Sequence, residues 1–83
     1  MPTGMSTLLD QPIAARHEAG YIHIEMSGGE SLTFPIKGNP RLERASEADL
    51  DQIELSPFGL HWPKLDEDLS IRGIRQGNYG SRN

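Results

Sequence analysis

Three consecutive acids, Asp66-Glu67-Asp68, follow shortly after His61 and form the densest set of side chains in the chain able to hold a hard cation or move a proton. Mg²⁺ and Ca²⁺ favour carboxylate oxygens, and His61 or a backbone carbonyl would complete the shell. Consecutive residues converge on one centre only where a loop wraps the ion, and the glycine-bearing spacing of an EF-hand is missing. The competing reading is structural. Asp66 and Asp68 would accept backbone N–H bonds in the turn after Pro63, near the positive end of a helix starting at Ser70. The structural reading ranks first, a partner-facing acidic patch second and a metal site third, so no metal ligand is assigned.

The other chemistry-bearing residues are sparse. His17, His23 and His61 are far apart, and none has the helical i, i+4 spacing of a zinc pair. His23 and His61 fall on polar faces of expected strands and would meet only if those strands were neighbours. No Ser sits in a Gly-x-Ser-x-Gly elbow, and Gly28-Gly29 is a lone pair suited to a hairpin turn, not a phosphate cradle. Trp62, beside Pro63, is read as the main core aromatic, with a binding role as the alternative. Arg72, Arg75 and Arg82 give the C-terminal end a basic bias that complements a helix terminus. No catalytic residue, cofactor site or enzyme activity is expected. His61, Trp62, Pro63, Asp66, Glu67 and Asp68 stand as a structural motif or partner surface.

The elements that position these residues are legible in the hydrophobic pattern. Ile13, Ala15 and His17 suggest one face of a first strand. Ile22, Ile24 and Met26 alternate with Tyr21, His23 and Glu25, and Leu32, Phe34 and Ile36 alternate with Thr33 and Pro35. Joined by Ser27-Gly28-Gly29-Glu30, the last two runs predict an antiparallel hairpin. Pro35 has no N–H for a ladder, so its strand belongs at an edge or ends there. Asn39-Pro40 predicts a helix opening, and Ser46 with Asp49 repeats the capping signal, so two abutting helical turns are expected in place of one helix. Leu42 and Ala45 should face inward. Ser56-Pro57-Phe58-Gly59 reads as a turn within a second hairpin that carries Ile53, Leu55, Leu60 and Trp62 to the core. Ser70 should cap a final short helix, with Ile71 and Ile74 inward and Gly77 as its stop.

Size and charge bound the function. Eighty-three residues suffice for one small core that buries roughly 60% of the unfolded surface. With no cysteine, disulfides, zinc ribbons and thiol chemistry are excluded. A net charge of −4 argues against direct nucleic-acid or membrane binding, which needs a Lys/Arg excess, and suits a basic protein partner. No run approaches the ~20 apolar residues of a membrane span and no secretory signal is visible, so a cytoplasmic location is expected. The expected organisation is a disordered N-terminus over 1–11, a single α+β domain over 12–77 and a flexible tail over 78–83. Its architecture is a three-stranded antiparallel meander, a broken helix, a short β-hairpin and a C-terminal short helix. Alternating apolar strands at a sheet edge also make a homodimer an open alternative.

One resemblance accompanies these readings. Asn39-Pro-Arg-Leu42, Ala45-Ser46, Phe58-Gly-Leu-His-Trp-Pro63, Leu65-Asp-Glu-Asp-Leu-Ser70, Gly73 and Gly77 resemble the bacterial domain of unknown function 2442 over about residues 13 to 77. The block from Gly59 to Ser70 carries most of the specificity. The resemblance implies a small α+β fold. In some members it implies association with compact toxin-like partners resembling RNA-targeting toxins, or with an appended helix-turn-helix. With six residues following Gly77, an appended DNA-reading domain is not expected here. The first functional expectation is therefore a non-enzymatic interaction module, an antitoxin-like partner of a small basic toxin. The alternatives are a divalent-metal protein or hydrolase built on Asp66, Glu67, Asp68 and His61, and an accessory subunit of a DNA-binding regulator.

Overall fold

In a computed structural model the described residues are 10–80; they form two three-stranded antiparallel sheets and three short helices, an α+β arrangement. The first sheet is the expected meander, β1 (Pro12–Glu18), β2 (Tyr21–Met26) and β3 (Ser31–Pro35), in that order. Ile22, Ile24, Met26 and Phe34 supply its buried face. Burying each such side chain contributes about 1.5–3 kcal/mol, which makes this sheet the largest apolar contributor to the fold. The Gly-Gly turn closes with Met26 N–H on the Glu30 carbonyl at 2.8 Å. β3 ends at Pro35 and is an edge strand, as a residue without an N–H requires.

β1 departs from simple alternation. The pairing shifts between Pro12 and Ala14, so Ile13 occupies a bulge and is 59% exposed, while Pro12 is buried and Ala15 packs against the core. The expected Ile13–Ala15–His17 face therefore loses its first member. The two-residue turn into β2 places Ala19 at φ 53°, a left-handed conformation that the hairpin twist demands.

The broken helix is present as α1 (Pro40–Glu43) and α2 (Glu47–Leu50). Asn39 caps α1 by accepting from Arg41 and Leu42 N–H, and Ser46 caps α2 by accepting from Asp49 N–H. Leu42 and Leu50 point inward and are buried.

The second hairpin is larger than expected. β4 (Glu54–Ser56) and β5 (Gly59–Trp62) pair around the Ser56–Gly59 turn, and β6 (Glu67–Ser70) adds a third strand beside β5. Leu60, Trp62 and Leu69 are buried, but Leu55, on the edge strand, remains 40% exposed instead of reaching the core. Gly59 is imposed by close packing: a Cβ there would lie 2.3 Å from the Leu69 carbonyl oxygen. Trp62, fully buried, donates its indole N–H to the Leu50 carbonyl at 3.1 Å, tying this sheet to the end of α2. The Trp62–Pro63 bond is trans.

α3 (Ile71–Arg75) follows β6 directly, capped by Ser70 and with Ile71 and Ile74 buried. It stops at Gly77, at φ 86°, where Gly77 N–H meets the Ile74 carbonyl and Asn78 N–H meets the Gly73 carbonyl. This paired closure is the Schellman arrangement that Gly permits. Beyond it, Tyr79 stacks on Phe34 with ring centroids 5.0 Å apart, so this residue of the expected 78–83 tail packs against the core. Residues 81–83 lie outside the described residues. At the other end, residues 1–9 of the expected disordered segment also lie outside them, while Asp10 accepts from Gly28 N–H at 2.9 Å.

Candidate functional site

The stretch from His61 to Ser70 distributes its side chains by the two-residue period of a strand hairpin. Trp62 points into the core and Pro63 opens a four-residue connection. Asp66 ends that connection at φ 54°, a conformation that Asp tolerates better than most residues. Its backbone carbonyl and that of Leu65 both accept from the Arg41 guanidinium, at 3.2 and 3.1 Å. Arg41 thereby holds the connection against α1.

Glu67 and Asp68 then face opposite sides of the second sheet. Glu67 turns inward, where its Oε2 accepts from the Asn39 amide at 3.0 Å, and Arg41 Nε lies 3.8 Å from its other oxygen. Asn39 is 1% exposed and fully engaged: its oxygen caps α1, and its amide also donates to the Tyr79 carbonyl at 2.9 Å. Asp68 turns outward and meets His61 Nδ1 at 2.6 Å. The pairing register places Glu54, His61 and Asp68 in one cross-strand row on the outer face.

The three acids therefore diverge. Asp66 contributes backbone, Glu67 an internal hydrogen bond and Asp68 a surface pair. The expectation that Asp66 and Asp68 brace the turn by accepting backbone N–H bonds is replaced by this division. Among the described residues, no cluster of three or more His, Asp or Glu is arranged to hold a metal ion. His23 and His61 do not meet either; His23 lies on the central strand of the first sheet, with Thr33 Oγ1 3.3 Å from its Nδ1.

The His61–Asp68 pair sits beside a shallow groove of about 300 Å³ whose walls include Ser56, Phe58 and Ser70. Both hydroxyls already serve the backbone. Ser56 Oγ accepts from Phe58 and Gly59 N–H, and Ser70 Oγ accepts from Gly73 N–H at 2.9 Å. A larger groove of about 620 Å³ lies on the other side of Phe58 and Ser70, reaching Arg72 and Arg75. Between them Phe58 is 80% exposed, the most exposed large apolar side chain among the described residues.

Sequence reasoning placed Phe58 in a turn and went no further; an aromatic at a turn tip, where no core can cover it, was the available signal. Arg75 closes the far end of the larger groove by pairing with Asp10 and Glu30. The hydrogen bond to Glu30 raises the Arg75 guanidinium above its ordinary pKa, with burial working in the opposite direction.

With this geometry in hand, relatives can be compared. A family model described as a protein of unknown function (DUF2442) matches residues 12–80, which spans both sheets, all three helices and the Tyr79 strap. The chain belongs to the DUF2442 family. A crystal structure of a protein of unknown function from Rhodospirillum rubrum superposes on this DUF2442 chain with a TM-score of 0.77 at 30% identity, covering 88% of this chain and 93% of that one. A solution NMR structure of an uncharacterized protein from Chromobacterium violaceum gives a TM-score of 0.76 at 22% identity, covering 95% of this chain and 76% of that one. At that identity the second likeness speaks for the fold alone. No curated protein matches the chain. No helix among the described residues is long and apolar enough to cross a membrane.

Proposed function

We propose that this DUF2442 chain is a protein-interaction module of the cytoplasm that works by docking a small basic protein, in the manner of an antitoxin. The observation that carries the reading is Phe58. An aromatic side chain 80% exposed on a turn fixed by Ser56 presents a pre-positioned apolar anchor, the type of residue that dominates interface energetics. The sign of the partner's charge comes from the balance of the chain as a whole. The chain carries −4 overall, and Glu43, Glu47, Asp51 and Glu54 are exposed along α1, α2 and β4. Such a field raises encounter rates with a cation and falls off with salt.

The test is capture of partners on the immobilised full chain, with Phe58→Asp as comparison and a salt series on both. A small basic protein retained by the native chain, released as salt rises and lost in the variant is the expected result. Identical retention on both chains, or binding indifferent to salt, would overturn the proposal. Phe58 contributes little to the core, so the variant folds and the comparison stays interpretable.

A further inference from the structure

The two grooves beside Phe58 adjoin, because both are lined by Phe58 and Ser70. Together they form a trough that runs from the outer face of the second sheet to α3, with different charge at its two ends. One end carries Arg72, which is exposed and has no ion-pair partner among the described residues. The other carries Asp68, whose carboxylate is 77% exposed and uses only Oδ1 towards His61, with Glu54 in the same cross-strand row. The exposed Phe58 lines both grooves, whereas Arg72 and Asp68 line one each.

We propose that this trough takes an extended peptide segment with an acidic residue at one position, an apolar residue two positions on and a basic residue two beyond that. Asp68 and Arg72 are four positions apart, and the chain turns from β6 into α3 between them. Their backbones therefore lie closer than the roughly 14 Å of an extended run, while the long Arg72 side chain adds reach. An extended peptide puts residues i, i+2 and i+4 on one face, and its own flexible acid and base adjust to that interval. Its acid then meets Arg72, its apolar side chain covers Phe58, and its base meets the free Oδ2 of Asp68. This deepens the docking function proposed above and rests on it, naming the segment by which a partner would be held.

The test uses four end-capped pentapeptides: Glu-Thr-Leu-Thr-Lys, Glu-Thr-Leu-Thr-Glu, Lys-Thr-Leu-Thr-Lys and Thr-Thr-Leu-Thr-Thr. They are titrated into the isotopically labelled full chain by NMR. The mixed-charge peptide should shift the Phe58 ring and Arg72 Nε signals and bind about fivefold more tightly than either like-charged peptide, since two exposed ion pairs add modestly. In the Arg72→Glu variant the preference should pass to the doubly basic peptide. Arg72 is on the surface, so this variant keeps the fold. Equal affinity for all four with Phe58 still shifting would overturn the charge order and leave the docking proposal standing. No Phe58 shift with any peptide would remove the trough as a binding site, while the capture experiment with Phe58→Asp decides the docking proposal separately.

Discussion

The Asn39 amide donates to Glu67 Oε2 at 3.0 Å, joining residues 28 positions apart in a site where Asn39 is 1% exposed. The same amide reaches the Tyr79 carbonyl, and the same side-chain oxygen caps α1. One residue thus connects the broken helix, the third strand of the second sheet and the segment after α3. Asn39→Ala removes the cap and leaves the Tyr79 carbonyl without this donor, and should cost about 2–4 kcal/mol. Asn39→Asp keeps the cap but sets a carboxylate against Glu67 and should also destabilise. Glu67→Gln keeps an acceptor for Asn39 and loses only a long, partly exposed contact to Arg41, so about 1 kcal/mol or less is expected. Urea unfolding of the three variants checks the order.

Trp62 provides its own probe. It is the only tryptophan and fully buried, so native emission should be blue-shifted and should move to the red on unfolding. Trp62→Phe keeps an aromatic but vacates volume and abandons the Leu50 carbonyl, for an expected loss of about 2–3 kcal/mol. Because this variant lacks the fluorophore, its stability is followed by far-UV circular dichroism.

Gly59→Ala should be among the most damaging single-methyl changes. The new Cβ meets backbone of β6, which cannot move aside as a flexible side chain would. Overpacking of this kind typically costs about 1–3 kcal/mol, and thermal melting against the native chain reads it directly.

The opposite sign is expected at Ala19. Its φ of 53° is uncomfortable for alanine and natural for asparagine in a two-residue hairpin turn. Ala19→Asn should stabilise by about 0.5–1 kcal/mol, raising the denaturant midpoint without changing the slope. No gain would show that the turn relaxes in solution.

Arg75→Gln tests the Asp10–Arg75–Glu30 pairing at the edge of the trough. The raised guanidinium pKa means its contribution is fully present below the unfolded-state value and is lost only as strong alkali is reached. The native-minus-variant difference should therefore stay level from neutral to moderately alkaline pH. It should be at most about 1 kcal/mol and shrink with salt, as exposed pairs do.

Much of the fold was readable because local signals agreed with their surroundings. Ile22, Ile24 and Met26 alternate cleanly, and Asn39, Ser46 and Ser70 each occupy the cap position their chemistry suggests. β6 was hidden for a physical reason. Its inward residue at the Trp62 level is Glu67, an acid with low strand propensity whose justification is an amide 28 positions away. Ile13 misled because a bulge breaks the period, and Leu55 because an edge strand has a neighbour on one side only. The site was legible in part: the acids and His61 were singled out and the turn position of Phe58 was readable, whereas the hold of Arg41 on the Leu65 and Asp66 carbonyls rests on long-range placement that no local pattern encodes.

The Tyr79–Asn39 bond also makes the segment after α3 part of the interior. A chain cut before Tyr79 leaves the buried amide at residue 39 with one of its two acceptors and Phe34 without its stacking ring, so truncation there removes an internal partner and not a dangling end.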